Sequence, residues 1–229
     1  MKFINKKADP ENFEHLYVEF FKSYKDVVMP PEFSYLLKDN LMRLLLQLAR
    51  YKFAARVLRP SDSVLEVGCG MGMGTLFLGQ NCRSVKGIDS NARNISEAKN
   101  TGFCKNVSFE TADFFKYPKT KKYDAVVSID VIEHMLEASA RRFLSKTAEL
   151  IDKNGMLILG TPSRYAYKYQ GVLSQAGHLK LYDQDELVKL TQKYYGRVLA
   201  FSMNDELVHT GFSKMSWYYF ILAFCPKKK

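Results

Sequence analysis

A glycine-rich turn is the first feature of the sequence that could take part in chemistry. The segment Val64-Leu65-Glu66-Val67-Gly68-Cys69-Gly70-Met71-Gly72 predicts a buried strand, then a turn in which every second residue lacks a side chain. Such a turn lets a ligand approach the backbone, and the free N–H groups of the next helix would face it. The alternative is a tight strand-to-helix turn without a ligand. A dinucleotide-type GxGxxG motif would need glycine where Met73 stands, so pyrophosphate binding is disfavoured.

Two acidic residues follow at the ends of the next two predicted strands. Gly87-Ile88-Asp89 ends the second strand, where an acid can accept hydrogen bonds from both hydroxyls of a ribose. Thr111-Ala112-Asp113-Phe114 ends the third, offering a carboxylate for an adenine amino group and a ring to pack against the base. Either acid alone is more often a strand-end cap. Three strand ends with these groups in this order favour a nucleoside site.

A second group of ionisable residues follows the fourth predicted strand. Asp130, Glu133 and His134 fall at positions i, i+3 and i+4 if a helix begins near residue 131. That spacing would bring their side chains together at the carboxyl edge of the sheet. Taken alone, the same residues are compatible with an ordinary helix N-terminus, which favours acids in its first turn.

A parallel sheet is predicted to position these groups. From Ser61 onward, short apolar runs alternate with helical stretches, a rhythm typical of an α/β fold with helices on both faces of the sheet. Strands are predicted at 63–67, 84–89, 107–111, 124–129 and 156–161, with helices at 75–81, 91–101 and 133–151. Two helices are predicted within residues 1–60, on either side of Pro30-Pro31.

The region after Pro162 is predicted to face a substrate. A helix should open at Asp183, where Asp183-x-x-Glu186 resembles a capping box. Late strands at 197–203 and 217–224 would complete the sheet, and the segment 204–216 between them is long for a hairpin loop, which makes it a candidate for function. Basic and aromatic residues alternate before this helix and could stack a base or hold a phosphate or sugar, or form an ordinary surface loop. They are Arg164, Tyr165, Tyr167, Lys168, Tyr169 and Lys180.

Composition indicates one globular domain. Within the 229-residue chain we predict N-terminal helices (1–60), a cofactor-binding core (61–161) and substrate-facing loops with the last strands (162–229). No apolar run reaches the ~18 residues that span a bilayer and no signal peptide is recognisable, so we expect a cytoplasmic protein. The four cysteines form no CxxC pair, which favours reduced thiols over a zinc knuckle. A formal charge of +10 would attract an anionic substrate or nucleic acid.

On these residues the sequence resembles the class I S-adenosylmethionine-dependent methyltransferases. Their first motif takes the form VLEVGCGMG, and their second and third acidic positions correspond to Asp89 and Asp113. The resemblance implies a Rossmann-like, doubly wound, seven-stranded sheet, mostly parallel with a last antiparallel strand. It implies S-adenosylmethionine as cofactor, with Glu66 orienting the methionine amino group and the backbone near Ile129 bordering it. The implied cofactor contacts are Glu66, Gly68, Cys69, Gly70, Met71, Gly72, Asp89, Ser90, Asp113, Phe114 and Ile129.

The acid-x-x-Glu-His motif is similar to one in ubiquinone-pathway O-methyltransferases and small-RNA 3′-end methyltransferases. Both families are associated with a divalent ion there, and both place a histidine downstream, where Gly177-His178 stands. The resemblance implies Asp130, Glu133, His134 and His178 as metal ligands, with Asp130 replacing the usual glutamate. Mixed histidine and carboxylate ligands suit manganese, iron or zinc, whereas the family suggests magnesium. Without a metal, His134 or His178 would act as the catalytic base.

Three functions are compatible with the sequence. The first is O-methylation of a small acceptor, an anionic or saccharide-linked metabolite. The second is 2′-O-methylation of RNA, favoured by the charge but without an RNA-binding module or a long basic stripe in the sequence. The third is a nucleotide-binding Rossmann protein without catalysis. The sequence predicts neither an oligomeric state nor a membrane span.

Overall fold

Residues 10–22, 28–101 and 105–227 are described by a computed structural model of the chain. It begins with helices α1 (Pro10–Lys22), α2 (Pro31–Asp39) and α3 (Leu41–Val57). It continues through β1 (Ser63–Val67), α4 (Met73–Gly79), β2 (Ser84–Asp89), α5 (Ala92–Asn100), β3 (Val107–Thr111), β4 (Tyr123–Ile129), α6 (Glu137–Leu150), β5 (Ile151–Pro162), α7 (Val172–Gly177), α8 (Gln184–Gln192), β6 (Tyr195–Asn204), β7 (Leu207–His209) and β8 (Tyr218–Pro226). Short 3₁₀ helices lie at Phe114–Lys116, Ile132–His134, Arg164–Tyr169 and Ser213–Met215.

The strands form one sheet in the order β3-β2-β1-β4-β5-β8-β6-β7. Neighbouring strands from β3 to β5 are parallel, while β8 is antiparallel to both β5 and β6. The predicted Rossmann-like, doubly wound sheet with a last antiparallel strand is therefore confirmed. The strand order reverses between β1 and β4, and ligands of such sheets bind outside the carboxyl ends of the strands at this point.

Apolar side chains cover both faces of the sheet. On β1, Val64 packs into a core shared with α3 and α4, whereas Leu65 and Val67 pack into the opposite core with α6 and α8. This alternation follows from the two-residue repeat of a strand, and burial on both faces explains the long apolar runs in β4 and β8. Among the described helices, none is both long enough and apolar enough to cross a membrane.

Two counts predicted from the sequence were wrong. The sheet has eight strands in the described ranges, not seven, because the supposed loop 204–216 contains β7, which folds back on β6 through a turn with Asp205 at a φ of 49°. Three described helices precede the sheet instead of two. The leucine-rich stretch is interrupted at Asn40, whose side-chain oxygen accepts a hydrogen bond from the Arg43 N–H and so caps a new helix.

The helix predicted at 133–151 was also wrong at its start. Asp130 adopts a left-handed conformation (φ 57°), a single 3₁₀ turn covers Ile132–His134, and α6 begins only at Glu137. The i, i+3, i+4 spacing of a continuous helix therefore does not apply to Asp130 and His134. The predicted helix opening at Asp183 is confirmed, since its carboxylate accepts a hydrogen bond from the Glu186 N–H. Cys69, Cys82 and Cys225 are free thiols, and Cys104 lies outside the described residues.

Candidate active site

The glycine turn between β1 and α4 is held open by backbone geometry. Gly68, Gly70 and Gly72 all have positive φ, the region that glycine enters without strain. A β-carbon at Gly68 would collide with the Val131 side chain, whereas one at Gly70 would meet no atom within 4 Å. Gly68 is therefore required by packing, and Gly70 borders open space.

Asp89 fastens this turn from the end of β2. Its Oδ2 accepts a hydrogen bond from the Gly70 N–H at 3.0 Å, and its Oδ1 accepts one from the Asn91 N–H at 2.8 Å. A cavity of about 320 Å³, named the β2–β3 cavity, opens beside it. Of the residues predicted to contact the cofactor, this cavity brings together Gly68, Asp89, Ser90, Asp113 and Phe114. The Phe114 ring is nearly buried, 4.9 Å from the Phe143 ring centroid.

A second cavity, named the α3 cavity, has a volume of about 160 Å³. It brings together the predicted residues Gly68, Cys69, Gly70, Met71, Gly72, Ile129 and Asp130 with residues of α2 and α3. Gly68 and Asp130 line both cavities, so the two spaces meet where β1 and β4 end. Together they form one cleft at the switch point of the sheet, which is the expected place for an elongated ligand.

Glu66 lies buried below this cleft. Its Oε1 accepts a hydrogen bond from the Tyr51 hydroxyl of α3 at 2.8 Å, and its Oε2 has no hydrogen-bond partner among the described residues. Burial raises the pKa of the Glu66 carboxyl to about 7, and the hydroxyls of Thr75 and Tyr51 offset only part of that rise. The carboxylate is poised to gain from a cationic partner.

Asp130 is paired with Arg50 of α3. Its Oδ2 accepts a hydrogen bond from the Arg50 guanidinium at 2.5 Å, and that guanidinium lies over the Tyr218 ring, 4.2 Å from its centroid. The Asp130 Oδ1 is buried and has no hydrogen-bond partner in the described chain. Its backbone N–H donates to the Gly160 carbonyl at 3.0 Å, which fixes the end of β4 against β5.

The structure brings His134 and His178 together with Glu133, a set named the His–Glu cluster. One possible ligand atom from each lies within 4.8 Å of the others, and the imidazole centroids are 5.0 Å apart. His134 Nδ1 lies 2.8 Å from the Gly177 carbonyl, which can only accept a hydrogen bond. His178 Nδ1 lies 2.8 Å from Gln170 Oε1. Each neutral ring therefore carries its proton on Nδ1 and leaves Nε2 as an acceptor.

Main-chain hydrogen bonds bring the downstream loop to this cluster. The Glu133 carbonyl accepts from the Leu179 N–H at 2.8 Å and the Lys180 N–H at 3.0 Å. The Glu133 side chain is fully buried, and its Oε2 accepts a hydrogen bond from the Thr161 hydroxyl at 2.9 Å. Burial, with the nearby Asp130 carboxylate, raises the pKa of Glu133 to about 8. Burial and the neighbouring His134 lower the pKa of His178.

The His–Glu cluster fits a divalent metal ion. Histidines that bind metals commonly donate their other ring N–H to a carbonyl or carboxylate, as both histidines do in this arrangement. The Glu133 Oε1 is buried and has no hydrogen-bond partner in the described ranges, a costly state that a cation would relieve. Two imidazoles and one carboxylate suit manganese, iron or zinc better than magnesium, which prefers oxygen ligands.

Several residues of the site were not predicted from the sequence. Arg50 and Tyr51 lie in a segment that was read from its sequence only as a helix. Arg50 is 80 residues from its partner Asp130, so no local signal marks either residue. Gln170 lies within the aromatic region that the sequence singled out, but nothing distinguished it from its neighbours.

Comparison with known proteins identifies the family. A family model described as a methyltransferase domain matches residues 33–195. Ubiquinone biosynthesis O-methyltransferase from Pelagibacter ubique (strain HTCC1062) is 29% identical over 112 residues, which are 46% of this chain and 44% of that protein. The chain thus matches less than half the length of this curated relative.

Two solved structures share the fold. The N-methyltransferase NodS from Bradyrhizobium japonicum WM9, in complex with S-adenosyl-L-homocysteine, superposes with a TM-score of 0.59 at 17% identity, covering 93% of this chain and 98% of that one. The methyltransferase domain of bacterial CtHen1 gives a TM-score of 0.64 at 20% identity, covering 78% and 98%.

The sheet order, the glycine turn and the cleft at the switch point define a Rossmann-like methyltransferase fold. The family model spans well over half of the sequence, so the chain belongs to the class I S-adenosylmethionine-dependent methyltransferases. S-adenosylmethionine is the cofactor of this family.

Proposed function

We propose that the chain transfers the methyl group of S-adenosylmethionine to a hydroxyl oxygen of a small acceptor, an anionic or saccharide-linked metabolite. The observation that carries this proposal is the His–Glu cluster beside the cleft, with the Nε2 atoms of His134 and His178 free of hydrogen bonds to the described residues. An O-methyltransferase needs such groups, because a hydroxyl must lose its proton as it attacks the methyl carbon.

The reaction is an in-line displacement at the methyl carbon. When no ion occupies the cluster, the acceptor O–H gives its proton to Nε2 of His134 or His178, the oxygen forms a bond to the methyl carbon, and the S–CH₃ bond breaks. The sulfonium becomes a neutral thioether and the histidine becomes an imidazolium. The chain contributes alignment as well, because the glycine turn and Asp89 would hold the cofactor while the cluster holds the acceptor.

A divalent ion at the His–Glu cluster is part of the proposal. When bound, magnesium, manganese, iron or zinc would hold the acceptor hydroxyl and lower its pKa. Glu133, His134 and His178 would hold this ion, and Gln170 and the Gly177 carbonyl would orient the two imidazoles. If no ion binds, the same two Nε2 atoms act as bases.

Two exposed, stacked aromatic rings support a ring-containing acceptor. Tyr169, adjacent to Gln170, stacks on Trp217 with centroids 5.6 Å apart, and both rings are more than half exposed. Exposed aromatic faces bind sugar rings and planar groups, and Lys168 lies next to Tyr169 in the sequence. The +10 charge of the chain favours an acceptor with an anionic group. A cytoplasmic location stays a prediction from the sequence.

RNA methylation is the second candidate, and the same net charge favours it. The third function, nucleotide binding without catalysis, is the outcome expected if the cofactor binds and no methyl group moves. One experiment separates the three. The purified 229-residue chain is incubated with methyl-labelled S-adenosylmethionine and, separately, with a small-metabolite extract or with cellular RNA.

Label in a low-mass compound that mass spectrometry identifies as a methyl ether supports the proposal. Label at a ribose of RNA overturns it in favour of the second candidate, and an N-methylated product overturns the choice of oxygen. Cofactor binding without labelled product in either pool supports the third. Once an acceptor is known, a chelator should abolish turnover and single divalent ions should restore it, while cofactor affinity is unchanged. Full turnover in chelator would leave a histidine base as the mechanism.

A further inference from the structure

We propose that Arg50 withholds Asp130 from the metal, so that the divalent ion is held by three side chains, Glu133, His134 and His178. This inference rests on the metal site of the proposed function and specifies its ligand set. The related motif implies four ligands, with an acid at position 130 among them. In this chain that acid is already engaged elsewhere.

The geometry separates Asp130 from the other three residues. Possible ligand atoms of Glu133, His134 and His178 lie within 4.8 Å of one another, and among the described residues Asp130 is not part of that group. The Asp130 Oδ2 instead contacts the Arg50 guanidinium at 2.5 Å. Aspartate is one methylene shorter than the glutamate of the relatives, and the left-handed backbone at this position directs its carboxylate toward α3.

Arg50 is placed to hold Asp130 firmly. Its side chain is 23% exposed and that of Asp130 is 30% exposed, so their charge-assisted hydrogen bond is partly shielded from water. The guanidinium also lies over the Tyr218 ring. If Asp130 moved to a metal ion, Arg50 would lose its hydrogen-bonded counter-ion in a partly buried place, which is costly. The ion pair therefore competes directly with metal coordination.

A three-ligand site has a chemical consequence. Catalytic metal centres commonly keep three protein ligands and leave further positions open for water or substrate. Two imidazoles and one carboxylate with open positions also form a recognised arrangement for divalent iron and related ions. With Asp130 withheld, one negative charge instead of two offsets the ion, which makes it a stronger Lewis acid toward an acceptor hydroxyl.

The test measures metal affinity, not turnover. Mn²⁺ is titrated into the 229-residue chain and followed by the EPR signal of the free ion, and Co²⁺ is followed by its visible spectrum. The variants are Asp130→Asn, Glu133→Gln, His134→Ala, Arg50→Met and the double variant Arg50→Met with Asp130→Asn. Circular dichroism and thermal denaturation establish that each variant is folded.

We expect Asp130→Asn to weaken Mn²⁺ binding much less than Glu133→Gln does, because Asp130 acts on the site through its charge and not as a ligand. Glu133→Gln and His134→Ala should each lose at least about tenfold, the lower end of the loss seen when even an outer-sphere partner is removed. Arg50→Met should free Asp130, tighten Mn²⁺ binding by about tenfold and alter the Co²⁺ spectrum, a coupling within the range for contacting residues. The double variant should return to the wild-type value.

Two outcomes overturn the inference, and they differ. If Asp130→Asn weakens Mn²⁺ binding as much as Glu133→Gln does, the metal has four ligands and the inference fails while the metal site stands. If wild type binds neither Mn²⁺ nor Co²⁺, the metal half of the proposed function fails and the inference falls with it. Should Arg50→Met fail to fold, the comparison of Asp130→Asn with Glu133→Gln decides the question alone.

Discussion

The buried Glu66 carboxyl is expected to make the ligand-free protein less stable as the pH rises from 4.5 to about 7. Burial raises the pKa of Glu66 from 4.5 to about 7, so between these values the folded state keeps a proton that the unfolded chain has released. The free energy of unfolding falls with pH wherever the folded state binds more protons. At about 1.4 kcal/mol for each pKa unit, the stability present below pH 4.5 should fall by roughly 3 kcal/mol once the pH exceeds 7.

The groups facing Glu66 support this direction. The hydroxyls of Thr75 on α4 and Tyr51 on α3 lower its pKa, the Asp89 carboxylate raises it, and none of them outweighs the full burial of the carboxyl. No cationic side chain is among these neighbours. Among the described residues, these neighbours supply no positive charge that would favour an ionised Glu66.

Urea denaturation at pH 5 and pH 8 checks this prediction without cofactor. Glu66→Gln should remove about 2.5 kcal/mol of the difference between the two pH values, because part of the effect is already lost at pH 5. Glu133, whose pKa is also raised by burial, contributes in the same direction in wild type and variant and cancels in the comparison. Glu110→Gln is the matched control, because Glu110 is half exposed and pairs with Lys86. If wild type and Glu66→Gln have the same pH dependence, Glu66 is not a buried carboxyl with a raised pKa and the reasoning is wrong.

Three further predictions concern the cofactor and the cluster. Asp89→Ala should weaken S-adenosylmethionine binding by about 2–3 kcal/mol in calorimetry, since a charged acceptor is lost and the Gly70 N–H is released; an unchanged dissociation constant would remove Asp89 from the site. Gly70→Ala should cost about 1–2 kcal/mol of stability because its φ is positive, and should abolish cofactor binding because its β-carbon enters the cleft. Gly171→Ala, with equally open surroundings and negative φ, should change neither; normal binding by Gly70→Ala would refute its placement. His134→Ala combined with His178→Ala should abolish turnover while cofactor binding persists, and surviving turnover would point to catalysis by alignment alone.

The sequence predicted the parts of the fold that depend on local signals. The strands β1, β2 and β3 match their predicted bounds, because each is a short stretch with apolar residues that is followed by a turn. The glycine turn was recognisable because glycine recurs at every second position. The three glycines have positive φ, which other residues rarely adopt. The proximity of His134 and His178 followed from a resemblance and is now seen in the structure.

The remainder depends on contacts between distant parts of the chain. Whether Asp130 belongs with His134 or with Arg50 is decided by a left-handed backbone and by an ion pair spanning 80 residues, and neither leaves a pattern in neighbouring residues. The strand β7 is only three residues long and was hidden in a segment without regular alternation. The strand forms because it pairs with β6, a contact that its own sequence does not reveal.

The two amides that donate to the Glu133 carbonyl have an evolutionary consequence. They belong to Leu179 and Lys180, so the main chain, and not the identity of those side chains, fixes where His178 stands relative to His134. The Leu179 side chain is 58% exposed and can be exchanged without disturbing those hydrogen bonds. The side chains of this loop can therefore diverge among relatives while the His–Glu cluster keeps its geometry, and under the proposed function such replacements alone would change the acceptor.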